Sequence, residues 1–267
     1  MEGRDGRNYT LGRGELHFDQ YAPGTQTLTG ERYLGNTPEF TTTSESEELE
    51  HFDSDHGVND KDDSVTLSNT SSGSFTTDNI NTENVAMFYL GSTQSLAQLA
   101  QAAVIDAARP VLRGRTYQLG TSAQRPAGVR NVNNVQIRKG AAPGTEVALT
   151  NNVEVDLDLG RIYIESDAPD IADGDLLTFT YDLVASTNTQ IVSGTKEIEG
   201  ALRFIAFNPK GGNRDYYWPR TKLSPNGDFA LKSGDDWQTI PFNVEFLRKG
   251  SLEKVYINSR GVAVTTP

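Results

Sequence analysis

Apolar and polar residues alternate along much of the chain. In the run 153–159 Val or Leu alternates with Glu or Asp, and in the run 177–183 Leu, Phe and Tyr alternate with Thr and Asp. A period of two residues is typical of strands that bury one face. We therefore predict strands over both runs, with the apolar side chains inward and the polar side chains outward.

Shorter apolar runs, separated by Gly and Pro clusters, predict further strands. They cover 15–19, 31–34, 65–75, 161–165, 196–207, 216–223, 229–232, 238–247 and 254–258. Many short strands with regularly spaced turns are typical of a β-sandwich or a β-barrel.

Two segments depart from this pattern. In 79–90 the apolar residues fall on one helical face, which predicts a single amphipathic helix lying on a sheet. We expect Asp78 or Asn79 to cap its start and Gly91 to end it. The next segment, 95–108, is rich in Ala, Leu and Gln, but an apolar face of alanines anchors a helix weakly. A helix and an extended connector both remain open there.

Composition narrows the classes of function. The 267 residues suit one large all-β domain or two smaller ones. The chain has no cysteine, which excludes disulfides and thiolate metal sites. It shows neither an apolar leader nor the roughly 18 apolar residues of a membrane span, so we expect a protein made in cytosol-like solution. Its net charge of −12 argues against a protein that grips nucleic acid, because such proteins carry basic stripes.

The negative charge is densest in the block 44–63, where Asp55-His-Gly57 predicts a hairpin turn. Lys61 is the one basic residue of the block, apart from two histidines. Its carboxylates are Glu45, Glu47, Glu48, Glu50, Asp53, Asp55, Asp60, Asp62 and Asp63. Clustered carboxylates suit Ca²⁺, but no glutamate closes a twelve-residue calcium loop begun at Asp53. We therefore assign no metal and no cofactor.

No catalytic motif is present: the chain lacks a phosphate-binding loop, a nucleophile elbow and a zinc-binding helix. His51 and His56 lie among carboxylates, where a hydrolase triad could form, but two solvated histidines are the simpler interpretation. The aromatic run 216–218 could stack on a sugar or fill a core or a subunit contact. We assign no catalytic residue and expect that the chain is not an enzyme; a glycoside hydrolase is the third-ranked hypothesis.

Several short motifs follow one another in a characteristic order. They are GELHF from residue 14, ERYLGNTPEF from 31, the acidic run 44–51, KDDSVTL from 61, GSFTTDNI from 73 and ENVAMFYLG from 83. This succession resembles the major tail tube proteins of long-tailed, siphovirus-like bacteriophages. Downstream, VEVDLDLGRIYI from 153 and the segments 198–204 and 215–237 are similar to the same group. The resemblance covers most of 14–258 and is weakest over 92–113.

The resemblance implies a mostly β fold, a tail-tube-type β-sandwich or barrel with one short flanking α-helix and a β-rich middle segment. It implies two arms around a divided sandwich. The parts are an arm (1–14), the first part of the sandwich with hairpin and helix (15–113), a middle segment that is an insertion or part of the sandwich (114–190), the second part of the sandwich (191–258) and an arm (259–267).

The function that this resemblance implies is structural: stacked hexameric rings around a channel that conducts double-stranded DNA into the host. The expected partners are copies of the chain and other tail proteins, such as the tape measure, tail tip and terminator, with no membrane. DNA would pass without specific binding, and we expect a net negative lumen because basic rings would hold the phosphates. The protein would lie in the virion tail after assembly in the host cytoplasm. The alternative is a β-sandwich carbohydrate-binding or adhesin module on a virion or cell surface.

In that family the long hairpin and the arms contact neighbouring subunits, which makes the acidic block 44–63 the candidate self-assembly contact. A charge this dense repels its own copies unless it meets basic groups. A merely solvated loop is the simpler alternative. The candidate basic partners are Arg4, Arg7, Arg13, Arg125, Arg130, Arg138 and Lys139.

Overall fold

A computed structural model describes residues 9–53, 55, 57–141 and 143–260. The fold is mostly β, as the alternating pattern predicts. The first elements are β1 (Gly14–Gln20), β2 (Arg32–Tyr33), β3 (Glu39–Asp53), β4 (Asp60–Thr77), α1 (Thr82–Phe88) and β5 (Ser92–Gln98). The middle elements are β6 (Gln101–Ile105), β7 (Arg109–Pro110), β8 (Thr116–Gln118), β9 (Val132–Lys139), β10 (Thr145–Val147), β11 (Val153–Asp156), β12 (Arg161–Ile164), β13 (Leu176–Leu183) and β14 (Ser186–Val192). The last elements are β15 (Ile198–Ala206), β16 (Arg214–Pro225), β17 (Ile240–Leu247) and β18 (Tyr256–Ser259).

The chain divides into two compact units. Unit 1 comprises the chain up to Thr93 and from Ile191 onward, and unit 2 comprises Gln94–Gln190. The chain passes from one to the other through β5 and returns through β14, and these two strands pair with each other. The segment 94–113, which the sequence assigned to the first part of the sandwich, is part of unit 2, because β6 and β7 both pair with β13.

Unit 1 is built on one antiparallel sheet in the order β2-β1-β15-β16-β17-β4-β3, with β18 paired to β16. The sheet curls until its two sides meet. Phe40 of β3 contacts Phe204 of β15 with ring centroids 5.9 Å apart, although three strands lie between them in the sheet. The Leu34 backbone bridges the gap: its N–H donates to Leu16 O, and its carbonyl accepts from Thr77 Oγ1, each at 3.0 Å. The result is a barrel-like body closed by the residues after β2.

The interior of unit 1 is filled by large side chains from the concave face of this sheet. Alternation along β17 buries Phe242, Val244 and Phe246 and leaves Asn243 and Glu245 exposed. Phe242 stacks on Phe75 with centroids 5.0 Å apart. The strands therefore have the period-two burial that the sequence predicts, since one face of each strand is packed and the other solvated.

Helix α1 begins later than predicted. It starts at Thr82, and its N-cap is Asn81 rather than Asp78 or Asn79, because Asn81 Oδ1 accepts a hydrogen bond from the Asn84 N–H at 2.8 Å. A short polar side chain that can reach back to the first turn decides the start, and Asn81, two residues after Asn79, was not among the predicted caps. No helix among the described residues has the length and apolar character to cross a membrane.

The end of α1 also differs from the prediction. The residue with a left-handed backbone is Leu90, at φ 50°, and not Gly91. Gly91 serves a close approach instead, because a Cβ placed there would lie 2.1 Å from the carbonyl oxygen of Val192. Its N–H still closes the helix by donating to Ala86 O at 2.9 Å.

Three strand predictions need correction. The strand predicted over 153–159 ends at Asp156, whose side chain accepts from the Leu159 N–H at 2.8 Å and starts a turn that exposes Leu157 and Leu159. The segment 229–232 is not a strand but part of the loop between β16 and β17. Thr178, predicted to point outward, is buried, and its hydroxyl is satisfied there by donating to Gly140 O at 2.6 Å. The open segment 95–108 is extended and forms strands rather than a helix.

Unit 2 has its own core between two small sheets, one in the order β10-β9-β13-β6 with β7 on β13, and one in the order β11-β12-β8. At its centre the Tyr181 hydroxyl donates to Asp106 Oδ1 at 2.8 Å, and Asp106 Oδ2 accepts from the Gly120 N–H at 3.0 Å. Burial, together with the Asp106 carboxylate, raises the pKa of Tyr181 well above its usual value. This hydrogen-bonded pair fixes β13 to the segment 106–120.

Removing the Tyr181 hydroxyl is expected to destabilise unit 2. In the Tyr181→Phe variant the free energy of unfolding should fall by about 1–3 kcal/mol, because a buried hydrogen bond to a charged acceptor is lost. Calorimetry of the purified protein would measure the effect. Tyr163→Phe is a matched control, since the structure gives the Tyr163 hydroxyl no hydrogen bond to the described residues, and an equal loss in both variants would contradict the assignment.

Candidate functional site

The acidic block forms the outer part of a long hairpin made by β3 and β4. The two strands pair from Glu39 with Thr76 as far as Asp53 with Asp60. β17 accompanies β4 only as far as Ser72, so beyond that point the hairpin is a ribbon of two strands. Every described residue of 41–53 and 60–67 is exposed. The ribbon from 44 to its tip extends by about 30 Å at the rise of a β-strand.

Carboxylates lie on both faces of this ribbon, because β3 alternates its side chains and carries Glu47 and Glu48 next to each other. Two contacts inside the ribbon use the basic groups that are present. Lys61 Nζ donates to Glu50 Oε1 at 2.7 Å, which raises the pKa of Lys61. The hydrogen bond between His51 and Asp62 lowers the pKa of Asp62. Most of the acidic side chains therefore face water.

The predicted acidic residues are all brought together on this hairpin, with Asp55 at its turn and the others on the two strands. His56 lies outside the described residues. His51 contacts only the exposed Asp62 among its possible acidic partners, as a solvated histidine would. Among the described residues, no group of three or more His, Asp or Glu side chains is arranged to hold a metal ion.

The hairpin also exposes apolar side chains that the sequence pattern did not predict to be at the surface. Leu49 and Val65 are directly opposed across the two strands and are 61% and 56% exposed. Phe52 and Leu67 are also exposed. The alternation at 65–67 predicted an inward face, but no layer of the described structure covers this part of β4. Exposed aliphatic and aromatic pairs on a projecting ribbon are typical of a surface that another chain covers.

The candidate basic partners divide between the two units. Arg4 and Arg7 lie outside the described residues, and Arg13 is exposed just before β1. The remaining four lie in unit 2, where each makes a hydrogen bond or an ion pair with another residue of that unit. Arg125 donates to Ala97 O, Arg130 to Leu159 O, Arg138 to Pro143 O and Lys139 to Asp175.

The aromatic run 216–218 faces two ways. Trp218 is only 4% exposed and stacks on Phe246 with centroids 5.0 Å apart, so it belongs to the core of unit 1 rather than to a sugar platform. Tyr216 stacks on Trp218 at 5.8 Å but is half-buried. Tyr217 points to the opposite face, where the Arg203 guanidinium lies 4.6 Å from its ring centroid.

Tyr216 instead lines a surface groove at one mouth of the barrel-like body. We call it the aromatic groove, and it is formed by the half-buried rings of Phe40, Phe204 and Tyr216. The groove has a volume of about 690 Å³, and Arg13 is one of the residues that line it. It continues into a hollow of about 730 Å³ beside Lys210 and Arg214. The mouth of a β-barrel is a common position for a binding site.

Comparison with known protein families identifies the family of this chain. The model of the family described as "Protein of unknown function UCP028589" matches residues 9–253. The chain belongs to this family. The match includes unit 2 and the hairpin, so both are within the family's span. No curated protein matches the chain.

Proposed function

We propose that this protein is a structural subunit that assembles with copies of itself into a phage tail tube. The observation that carries the proposal is the ribbon 44–71, which extends from the barrel-like body and pairs with no third strand of the described residues. An isolated two-stranded hairpin is at best marginally stable in water. A partner chain that covers Leu49 and Val65 and meets the carboxylates would stabilise it.

The free edge of the sheet supports the same proposal. β3 is the last strand in the sheet order of unit 1, and among the strands that the structure describes it pairs there only with β4. Its 15 residues give a long row of backbone groups without a strand partner on one side, and proteins normally protect such edges. In a ring of identical subunits each edge can pair with the next subunit. An edge that would promote aggregation of a monomer then becomes an interface.

The charge supports a conduit for DNA rather than a protein that binds it. The net charge is −12, and the densest run of carboxylates in the sequence lies on the long hairpin. In the proposed tube, hexameric rings stack around a net negative lumen, and double-stranded DNA passes into the host without specific binding. The protein would then be part of the virion tail, with its own copies, a tape measure, a tail tip and a terminator as partners, and would have no catalytic role.

The second candidate function is carbohydrate binding, as an adhesin-like module. The aromatic groove favours it, because the half-buried rings of Tyr216 and Phe204 line it beside polar side chains, and aromatic rings can stack on sugars. The burial of Trp218 weighs against it, since the largest ring of the predicted platform is not available to a ligand.

Electron microscopy of the purified full-length protein tests the proposal. We expect tubes or stacked rings with a central channel at concentrations where sedimentation detects large assemblies. A protein that stays monomeric at every concentration and salt condition would overturn it. Binding of the monomer to a glycan array, lost in Tyr216→Ala, would favour the second candidate instead.

A further inference from the structure

The loop between β16 and β17, residues 226–239, presents an unusually exposed tryptophan. Trp237 is 89% exposed, and Leu231 in the same loop is 73% exposed. Large aromatic side chains dominate the binding energy of protein interfaces, and Trp is among the residues most enriched there. A tryptophan held almost entirely in water is therefore a candidate anchor for a partner.

The loop is fixed to unit 1 and does not depend on Trp237 for its shape. Phe229 packs on Phe88 of α1, with ring centroids 5.6 Å apart. Within the loop, Ser233 Oγ donates to Asp236 O at 2.6 Å and Gln238 Nε2 donates to Ala230 O at 2.9 Å. The indole is thus presented on a loop with internal support, which reduces the entropy lost when it binds.

The charges of this loop and of the aromatic groove are opposite. Asp235 and Asp236 precede Trp237 directly, and both are exposed. The groove combines aromatic rings with a rim on which Arg13, Lys210 and Arg214 outnumber the single carboxylate of Glu39. An indole flanked by carboxylates matches aromatic walls flanked by basic groups, because apolar contact and charge pairing are satisfied together.

The two features lie at opposite ends of unit 1. Tyr216 of β16 lines the groove, and the loop begins after Pro225, nine residues or about 30 Å of strand later. β3 runs opposite to β16, because three successive antiparallel pairings separate the two strands. The acidic ribbon therefore leaves the groove away from Trp237. The loop of one molecule therefore cannot fill the groove of the same molecule. When a second molecule stacks head to tail on the first, the loop of one molecule faces the groove of the other.

We propose that the Trp237 loop of one copy binds in the aromatic groove of the next copy along the axis of the assembly. Such a contact is heterologous, joining two different surfaces, and it repeats without limit when the copies follow one another along a line. The inference rests on the proposed function and names its axial interface. In this arrangement the acidic ribbon extends past the same interface toward the neighbouring subunit.

Trp237→Ala tests the contact through assembly. We expect the critical concentration for tube formation to rise at least about tenfold, because an interface anchor is removed. Arg214→Glu, at an exposed position of the groove rim, should act in the same direction, and Asp236→Arg should partly restore assembly to it. Leu99→Ala is the matched control, since Leu99 is 80% exposed in unit 2 and takes no part in the contact.

A disulfide cross-link tests the same contact through geometry. The chain has no cysteine, so Asp236→Cys with Arg214→Cys introduces the only two thiols and leaves Trp237 in place. Mild oxidation of assembled protein should give a ladder of covalent multimers on a non-reducing gel, since disulfides form only where the two Cα atoms approach within about 7 Å. Asp236→Cys alone, which leaves the groove without a thiol, should give no ladder.

The outcomes separate the two proposals. Tubes that form normally from Trp237→Ala and give no ladder would overturn the contact and leave the tail tube function standing. A wild-type protein that never assembles would overturn both. Saturable binding of cellohexaose to the monomer, lost in Tyr216→Ala, would assign the groove to a sugar instead of a second copy.

Discussion

Replacing Glu45, Glu47 and Glu48 together with lysine is expected to stop tube growth at concentrations where the wild-type protein assembles, while the monomer stays folded. The opposing residues on β4 are Thr70, Ser68 and Thr66, and the direct ion pair of Lys61 is with Glu50, so the substitutions remove only a weaker attraction between Glu48 and Lys61. Among the described residues, the side-chain hydrogen bond lost is the one that Ser68 Oγ donates to Glu47 Oε2, at 3.2 Å between exposed groups. The fold should therefore tolerate the change.

The effect on assembly follows from the change of sign at an interface. In the proposed tube these carboxylates meet basic groups of a neighbouring copy, and like charges placed together across an interface cost several kcal/mol. We expect the critical concentration to rise by about 100-fold or more, equivalent to about 2.7 kcal/mol per added subunit. Sedimentation of a concentration series, with microscopy of the pellets, measures it.

A charge-matched control separates this effect from a general change in net charge. Glu154, Asp158 and Asp167 are exposed carboxylates of unit 2 outside the hairpin. Converting these three to lysine changes the net charge by the same amount and should leave the critical concentration within about threefold of the wild-type value. Equal inhibition by both triple variants would mean that the hairpin has no special role.

Phe242→Ala is expected to give the largest loss of stability in unit 1. The Phe242 ring is fully buried, stacks on Phe75 and meets the edge of Phe88 on α1 at 6.3 Å between centroids. Truncating it removes one of the contacts between helix and sheet and leaves a cavity, which costs about 3–5 kcal/mol. Both tryptophans lie in unit 1, and Trp218 is buried, so urea unfolding followed by tryptophan fluorescence reports this unit.

Leu231→Ala is the control for that measurement, because Leu231 is in unit 1 and mostly exposed. Its free energy of unfolding should stay within about 0.5 kcal/mol of the wild type. A loss below about 1 kcal/mol in Phe242→Ala would show that the ring does not hold α1 on the sheet.

The period-two pattern was enough to predict the β fold and most of its strands, because one buried face imposes it directly. It predicted the length of β11 wrongly, since one side-chain hydrogen bond from Asp156 turns the chain before Leu157. The polar residues before α1 led to a second error, since the cap was predicted at Asp78 or Asn79 and lies at Asn81. Alternation reports burial, whereas the ends of elements depend on single local hydrogen bonds that several neighbouring residues could make.

The candidate site was predicted in part. The acidic residues 45–63 were placed correctly on one hairpin, because charge density and a turn signal are local properties of the sequence. The exposure of the apolar side chains was not predicted. Leu49, Val65 and Trp237 are residue types common in cores, and a sequence pattern alone does not distinguish a buried position from an exposed one. The aromatic groove was missed because Phe40 and Phe204 meet only when the sheet curls.

The pairing of β5 with β14 gives the chain a modular character. Unit 2 is inserted through two strands that run side by side, so a tight turn from Thr93 to Ile191 would preserve every strand pair of unit 1. A gene for such a chain can gain, lose or exchange the inserted segment in one recombination step. In the proposed tube, a foreign domain whose termini lie close together could be carried at the same position on every copy.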